Sequence, residues 1–505
     1  MQNNTLSHNK YSKFDVDTQG AILNNSRTNV QTQQAGWVQG NPYLAKGEAK
    51  IILNEVNSND PSLLKGYVEV AGKKADVIIA NPSGIHCQGC GIINSDRATF
   101  TTGKPYIQNG NLESFVVEKG KVSIDGKGLD NSRVDYTEIL AREVQANAGV
   151  WSKKETKVIT GKNTLKRSDS AKDLQIIHSN QPLADEAQPQ FAVDIGELGG
   201  MYSGKIHLIG TENGVGVRNA GHIGASSDTL QIDSKGRIIN TGTLNANQAI
   251  NLTATKGIEN KGKIENRQGD IQLNTNADIK QDGSIVSRQG NIQQHADTTI
   301  SQQGETVAKG NVRYQAQAIN ASQDSLIAAG VTIQDNHNGE VRTLDTQTAQ
   351  GKSLQVSATD QATLQGKNIA SGTFNLHAGS VNVNHSQNSV HTIVVQGTTG
   401  NIDANSALFT AQADLQLKTP KALSTQSSHL TANNIHTEQA SLNAKNATWK
   451  QTGTDDFHLK GGELITSGAA FSTQGDFKVD ANQLDNVQGT LSSAKSLTLK
   501  VGKYE

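Results

Sequence analysis

Large rings are scarce in this sequence: Phe, Trp and Tyr make up 4% of 505 residues, and only three are Trp. Globular cores rest on such rings, each burying about 150–250 Å², so their scarcity points to a thin core. Two Cys and seven Pro exclude a disulfide-dense scaffold and a proline-rich stalk. Charge of one sign is missing as well, with 46 Lys plus Arg against 47 Asp plus Glu. No net field draws the chain to nucleic acid or to an anionic membrane. No window approaches the roughly 18 consecutive apolar residues of a membrane helix, so no membrane insertion is expected. Metalloprotease, serine-hydrolase and calcium-repeat motifs do not occur, and the 13 His are scattered. Gly257 to Lys263 nearly spells a phosphate-binding loop, but Ile264 stands where Ser or Thr is required. The reading is therefore of no enzyme, no cofactor, no metal and no nucleic-acid partner.

What the sequence has is a short repeat. Val217-Arg218-Asn219-Ala220-Gly221 returns as Ile238 to Gly242, Ile258 to Gly262, Ile279 to Gly283 and Ile300 to Gly304. The spacing is 20 or 21 residues. An aliphatic opens each copy, and Ile223, Leu244, Ile264 and Ile285 follow two residues after the glycine, with Thr306 breaking the pattern. So short a repeat with period-2 alternation cannot bury its own apolar face and must stack on its neighbours. The fold class is all-β, a right-handed parallel β-helix or β-solenoid with small extruded hairpins or loops. About 20 coils at a strand spacing of about 4.8 Å would make a rod of roughly 100 Å. The glycines are expected at corners with positive φ. The amides Asn219, Asn240, Asn260, Gln281 and Gln302 are expected to form a hydrogen-bonded ladder along the axis, a structural role.

Upstream, Phe14 to Gly149 is strand-like but irregular, and Gly161 to Ala192, rich in Lys, Ser, Asp and Gln, reads as an extruded loop or hairpin. After Gly304 the repeat decays but alternation persists through Leu484 to Leu499. The last strand-like run, Ser496 to Val501, has no polar cap, so a longer natural product is expected.

The sharpest local signals are two turns, Asn41-Pro42-Tyr43-Leu44 and Asn81-Pro82-Ser83-Gly84-Ile85, in which Pro fixes φ and Asn caps the turn. As bare tetrapeptides they are ordinary turns. Their setting includes Trp37 to Gly40, Asn54-Glu55-Val56, Glu69 to Gly72, Arg97 to Gly103 and Gly199 to Ile206. Together, from about Leu6 to Ile223, these segments resemble the secretion domain of two-partner secretion exoproteins. That family includes filamentous haemagglutinin-like adhesins and effectors of contact-dependent growth inhibition. The resemblance implies export through a cognate outer-membrane transporter with periplasmic docking modules, the two turns marking the domain it handles. Family turns usually read Asn-Pro-Asn-Leu and Asn-Pro-Asn-Gly; here Tyr43 and Ser83 hold the third position. Members also carry a signal peptide and a first strand upstream of the segment matching Leu6 to Tyr11; Met1 to Lys10 lacks the basic start, apolar stretch and cleavage site of a signal, and neither feature is expected in this sequence.

Cys87 and Cys90, the only cysteines, are compatible with a redox site, half a zinc site or a small disulfide. Zinc needs two further ligands, for which His86 and the distant His178 or His207 are the candidates. A disulfide is the plainest reading, restricting the unfolded chain by roughly 2 kcal/mol. The expected organisation is a secretion domain over 1–215 and haemagglutinin-type repeats over 216–505. The resemblance implies a filamentous adhesin at the surface of a Gram-negative bacterium, with an unknown receptor on a host or neighbouring cell. The alternatives are the shaft of a contact-dependent toxin-delivery protein and a cytolysin of the same secretion class.

Overall fold

The computed structural model describes residues 6–167, 173–335, 342–345 and 351–504. Every regular element among them is a β-strand. The chain forms two compact units, Met1–Ile258 and Glu259–Glu505.

In the first unit the repeat coils into a parallel β-solenoid with three faces. One face stacks Tyr136–Ala141, Glu155–Thr160, Lys205–Gly210, Leu230–Ser234 and Ile250–Ala254 in parallel register. A second stacks Glu143–Ala146, Phe191–Ile195, Gly216–Asn219 and Ile238–Asn240. The third stacks Gly149–Ser152, Gly200–Ser203, His222–Ala225 and Thr243–Ala246. Alternation sends every second residue inward, so aliphatics line up along the stack. Val158, Leu208, Ile232 and Leu252 form one such column, each with at most 1% of its surface exposed. Burial of each side chain stabilises the stack by roughly 1.5–3 kcal/mol, which a single coil could not achieve alone.

The glycine column has a different cause from the expected one. None of Gly221, Gly242, Gly283 and Gly304 lies in the left-handed region. A Cβ at these positions would sit 1.9–2.1 Å from the carbonyl oxygens of Gly199, Gly221, Gly262 and Gly283 respectively. Glycine recurs because the turns of adjacent coils touch through their backbones.

Segment 161–192 contributes Lys162–Arg167 and Leu174–Asn180, paired antiparallel; residues 168–172 lie outside the described residues. This pair joins a second hairpin, Lys104–Gln108 with Asn111–Val117, in one four-stranded sheet. Phe115, Val117 and Leu165 bury against Ile78, Leu140 and Ile159 of the solenoid. A buried ion cluster fixes the junction: Glu138 accepts from Arg167 at 2.8 and 3.0 Å, from Thr99 at 2.7 Å and from Arg97. Burial works against the Glu138 charge, but Arg167 and then Arg97 hold its carboxyl below the usual range.

The second unit repeats the parallel architecture, with Lys263–Asn266, Ser284–Ser287, Glu305–Ala308 and Leu326–Ala329 on one face. Thr306, which breaks the sequence pattern, is fully buried beside two equally buried glutamines, Gln294 and Gln302. Tyr314 and Thr306 donate to Gln302 Oε1, and Gln294 donates to Thr306 at 3.3 Å. The defect in the apolar pattern is thus an internal hydrogen-bonded knot. Farther along, the rings gather inside: Trp449, Phe457, Phe471 and Phe477 are buried and mutually packed, with centroids as close as 4.8 Å.

Candidate functional site: two Asn-Pro turns

The solenoid of the first unit begins with Leu6–Tyr11, Ile51–Val56, Asp76–Ala80 and Arg97–Thr101, stacked in parallel. Beside them lies a three-stranded sheet of Ala21–Asn25, Tyr67–Gly72 and Gly91–Ile93. The two Asn-Pro turns are set into this region, and they are built differently.

Asn81 is fully buried. Its backbone N–H donates to Thr101 at 2.9 Å, and its side-chain amide donates to the Asp60 carbonyl at 2.9 Å and the Ser62 hydroxyl at 3.0 Å. Its Oδ1 accepts from the Ser83 N–H at 3.0 Å, and its carbonyl from the Gly84 N–H, also at 3.0 Å. Ser83 in turn donates to the Ser58 carbonyl at 3.2 Å. Gly84, with φ +119°, takes a conformation that L side chains rarely adopt. Ile85 then enters a strand held between Ser62–Leu64 and Lys121–Ile124. Every polar group of Asn81 is committed to the fold.

Asn41 makes the same local cap, accepting from the Tyr43 N–H at 3.0 Å, and donates to the Asn24 carbonyl at 3.1 Å. Its backbone N–H reaches Ser26 at 2.7 Å. Beyond that anchor the turn stands clear: Pro42 is exposed and Tyr43 is 93% exposed. Trp37, on the neighbouring hairpin of Val30–Thr32 and Gly36–Val38, is 73% exposed. Sequence reasoning treated the two turns as equivalent; burial separates them into an internal staple and a presented surface.

Cys87 and Cys90 follow directly and are joined in a disulfide, both 2% exposed, with Gly89 between them at φ +102°. The two sulfurs are thereby each other's partners. The amide column is also partly a ladder. Asn219 donates to Asn240 Oδ1 at 2.9 Å, and Asn260 to Gln281 Oε1 at 2.7 Å. The same amides also hold backbone carbonyls, as Gln281 does with Glu305 at 2.9 Å and Gln302 with Leu326 at 3.1 Å. They clamp the next coil's turn as well as each other.

Residues 1–240 match the family model of the TPS secretion domain. The first 240 residues thus carry a TPS secretion domain, the domain of two-partner secretion exoproteins. Among its relatives, "Toxin CdiA" of Yersinia pestis is 39% identical over 491 residues, 97% of this chain and 14% of the relative. "tRNA nuclease CdiA-2" of Burkholderia pseudomallei is 42% identical over 243 residues, 48% of this chain and 8% of the relative. The chain therefore spans a small fraction of these relatives. A crystal structure of the filamentous hemagglutinin secretion domain is 29% identical with a TM-score of 0.46, covering 53% of this chain and 88% of that one.

Proposed function

We propose that this chain is the transport-and-shaft portion of a non-enzymatic exported filament: its amino-terminal region engages a cognate outer-membrane transporter, and its coils form the displayed shaft. The observation that carries this reading is the pair of Asn-Pro turns, one anchored by Asn81, 0% exposed and committed to the fold, the other presenting Tyr43 at 93% exposure. The outward turn is the contact with the transporter's periplasmic module, while the Asn81 to Ile85 turn fixes the neighbouring segment of Ser58, Asp60 and Ser62. The Cys87–Cys90 disulfide tightens the same coil without widening the chain. Parallel coils also suggest how export proceeds without ATP. Each coil leaving the pore docks on the one before it and gains roughly 25 cal/mol per Å² of apolar surface buried, which biases transit outward. The domain boundary proposed is near residue 215, with repeats over 216–505.

For the displayed protein, the first reading is a surface adhesin contacting a host or neighbouring cell. The second, delivery of a toxin in contact-dependent inhibition, is favoured by the relative "Toxin CdiA", aligned over 97% of this chain. The test of export directs the chain to the periplasm in cells with and without the partner transporter. Release only with the transporter is expected; equal release without it would end the proposal.

A further inference from the structure

A groove of about 440 Å³ crosses the sheet that Ile271–Thr275, Ile292–Ala296, Val312–Ala321 and Leu354–Leu364 form in the second unit. Along it runs a column in register, with Gln272 beside Gln293, Gln293 beside Arg313 and Arg313 beside Gln355. Their strand neighbours Ile271, Leu273, Ile292, Val312, Tyr314 and Leu354 are fully buried, so alternation turns the four polar side chains outward.

The rim of the groove is already satisfied. Asp270 Oδ1 accepts from the backbone and side chain of Asn291 at 2.8 and 3.0 Å. Asn291 Oδ1 does the same for Asn311 at 2.8 and 3.2 Å, and Asn311 Oδ1 accepts from Ser353 N–H at 2.8 Å. The floor is not. Arg313 gives one donor to Gln315 at 3.3 Å and pairs with no carboxylate among the described residues. The acid on the groove's rim, Asp270, lies two strands away and is capped by Asn291.

A guanidinium with spare donors offers a carboxylate two parallel hydrogen bonds. The glutamines on both sides each offer an acceptor and two donors, the pattern that neighbouring sugar hydroxyls match. Strands about 4.8 Å apart repeat these groups at about the length of one pyranose unit, so an extended sugar chain lying along the axis meets one side chain per unit. Because amides continue on both sides of Arg313, the carboxylate belongs within the chain and not at its end. We propose that this groove binds an oligosaccharide containing uronic acid, with the carboxylate on Arg313 and adjoining hydroxyls on Gln293 and Gln355. This site is independent of the export reading, since it uses none of the residues of the Asn-Pro turns.

Isothermal titration of the full 505-residue chain with hyaluronan and alginate oligomers tests it, a methyl-esterified alginate serving as the neutral control. Saturable binding of at least one acid is expected. Esterification and Arg313→Gln should each weaken it about tenfold, the effect of one charge-assisted pair. Gln293→Ala should cost less and affect acid and ester alike. Thermal unfolding should not change in either variant, because both side chains point outward. A preference for hyaluronan places the ligand on animal cells, and one for alginate places it on bacterial surfaces; both support the site. Absence of saturable binding at millimolar oligomer, equal affinity for the ester, or undiminished affinity in Arg313→Gln overturns it.

Discussion

Asn219 reaches across to the next coil, donating its side-chain amide to Asn240 Oδ1 at 2.9 Å and to the Thr243 carbonyl at 3.2 Å. Both asparagines are buried, so neither can exchange this partner for water. Asn219→Ala leaves acceptors of the next coil short of a donor and should destabilise the first unit by about 1–3 kcal/mol. Urea unfolding followed by circular dichroism measures it. An unchanged midpoint would reduce the amide column to decoration.

The glycine column makes a sharper prediction. Gly242→Ala places a methyl 2.0 Å from the Gly221 carbonyl oxygen, a backbone atom with no freedom to yield. At Gly224→Ala the nearest atoms belong to side chains, His222 at 3.1 Å and Tyr202 at 3.8 Å. The first substitution should cost about 3 kcal/mol, the upper range of overpacking, and the second far less. Thermal melting of the two variants compares them directly.

Acid titration should show Asp76. Partial burial pushes its carboxyl up to about 6, against the pull of Arg97, whose Nε lies 4.0 Å away, and of Arg167. A folded-state value above the unfolded one means that the native state holds the proton more tightly. The associated stability is complete below the unfolded value of 3.8 and is lost as pH rises through about 6. Glu138, held low by its arginines, works in the opposite sense and loses its contribution as pH falls. Comparison with Asp76→Asn isolates the first effect. Relative to wild type, the variant should gain stability between pH 4 and pH 7, modestly because the carboxylate is 37% exposed.

The repeat was legible because 20 or 21 residues bring the same side-chain type back to the same place. Val217 and Ile238 are paired in the structure as the spacing implies, and so are Ile223 and Leu244. Local sequence could not give the cause of the glycines, which lies in the carbonyl of another coil. Nor did it separate the hairpin Lys104–Gln108 with Asn111–Val117 from the solenoid strands around it. Ser114-Phe115-Val116-Val117 is as rich in strand-forming residues as any of them, and one of its antiparallel partners, Lys162–Arg167, is some 50 residues away. Thr306 looked like a lapse in the pattern; only with Gln294, Gln302 and Tyr314 around it does it become a satisfied interior group. Asn41 and Asn81 share the Asn-Pro start of a turn, but the groups packed around each, and so their burial, lie beyond local sequence.

That difference supplies the most direct test of the proposed function. The purified chain is titrated against the periplasmic module of its partner transporter as wild type, Tyr43→Ala and Asn81→Ala, each with its melting temperature. Tyr43, exposed and without a structural bond of its side chain to lose, should weaken binding while leaving melting unchanged. Asn81→Ala should lower the melting temperature, since it strips hydrogen bonds from a buried turn. Full-strength binding by a folded Tyr43→Ala protein, or no binding by the wild type, would contradict the assignment of the Asn41 turn as the surface the transporter reads.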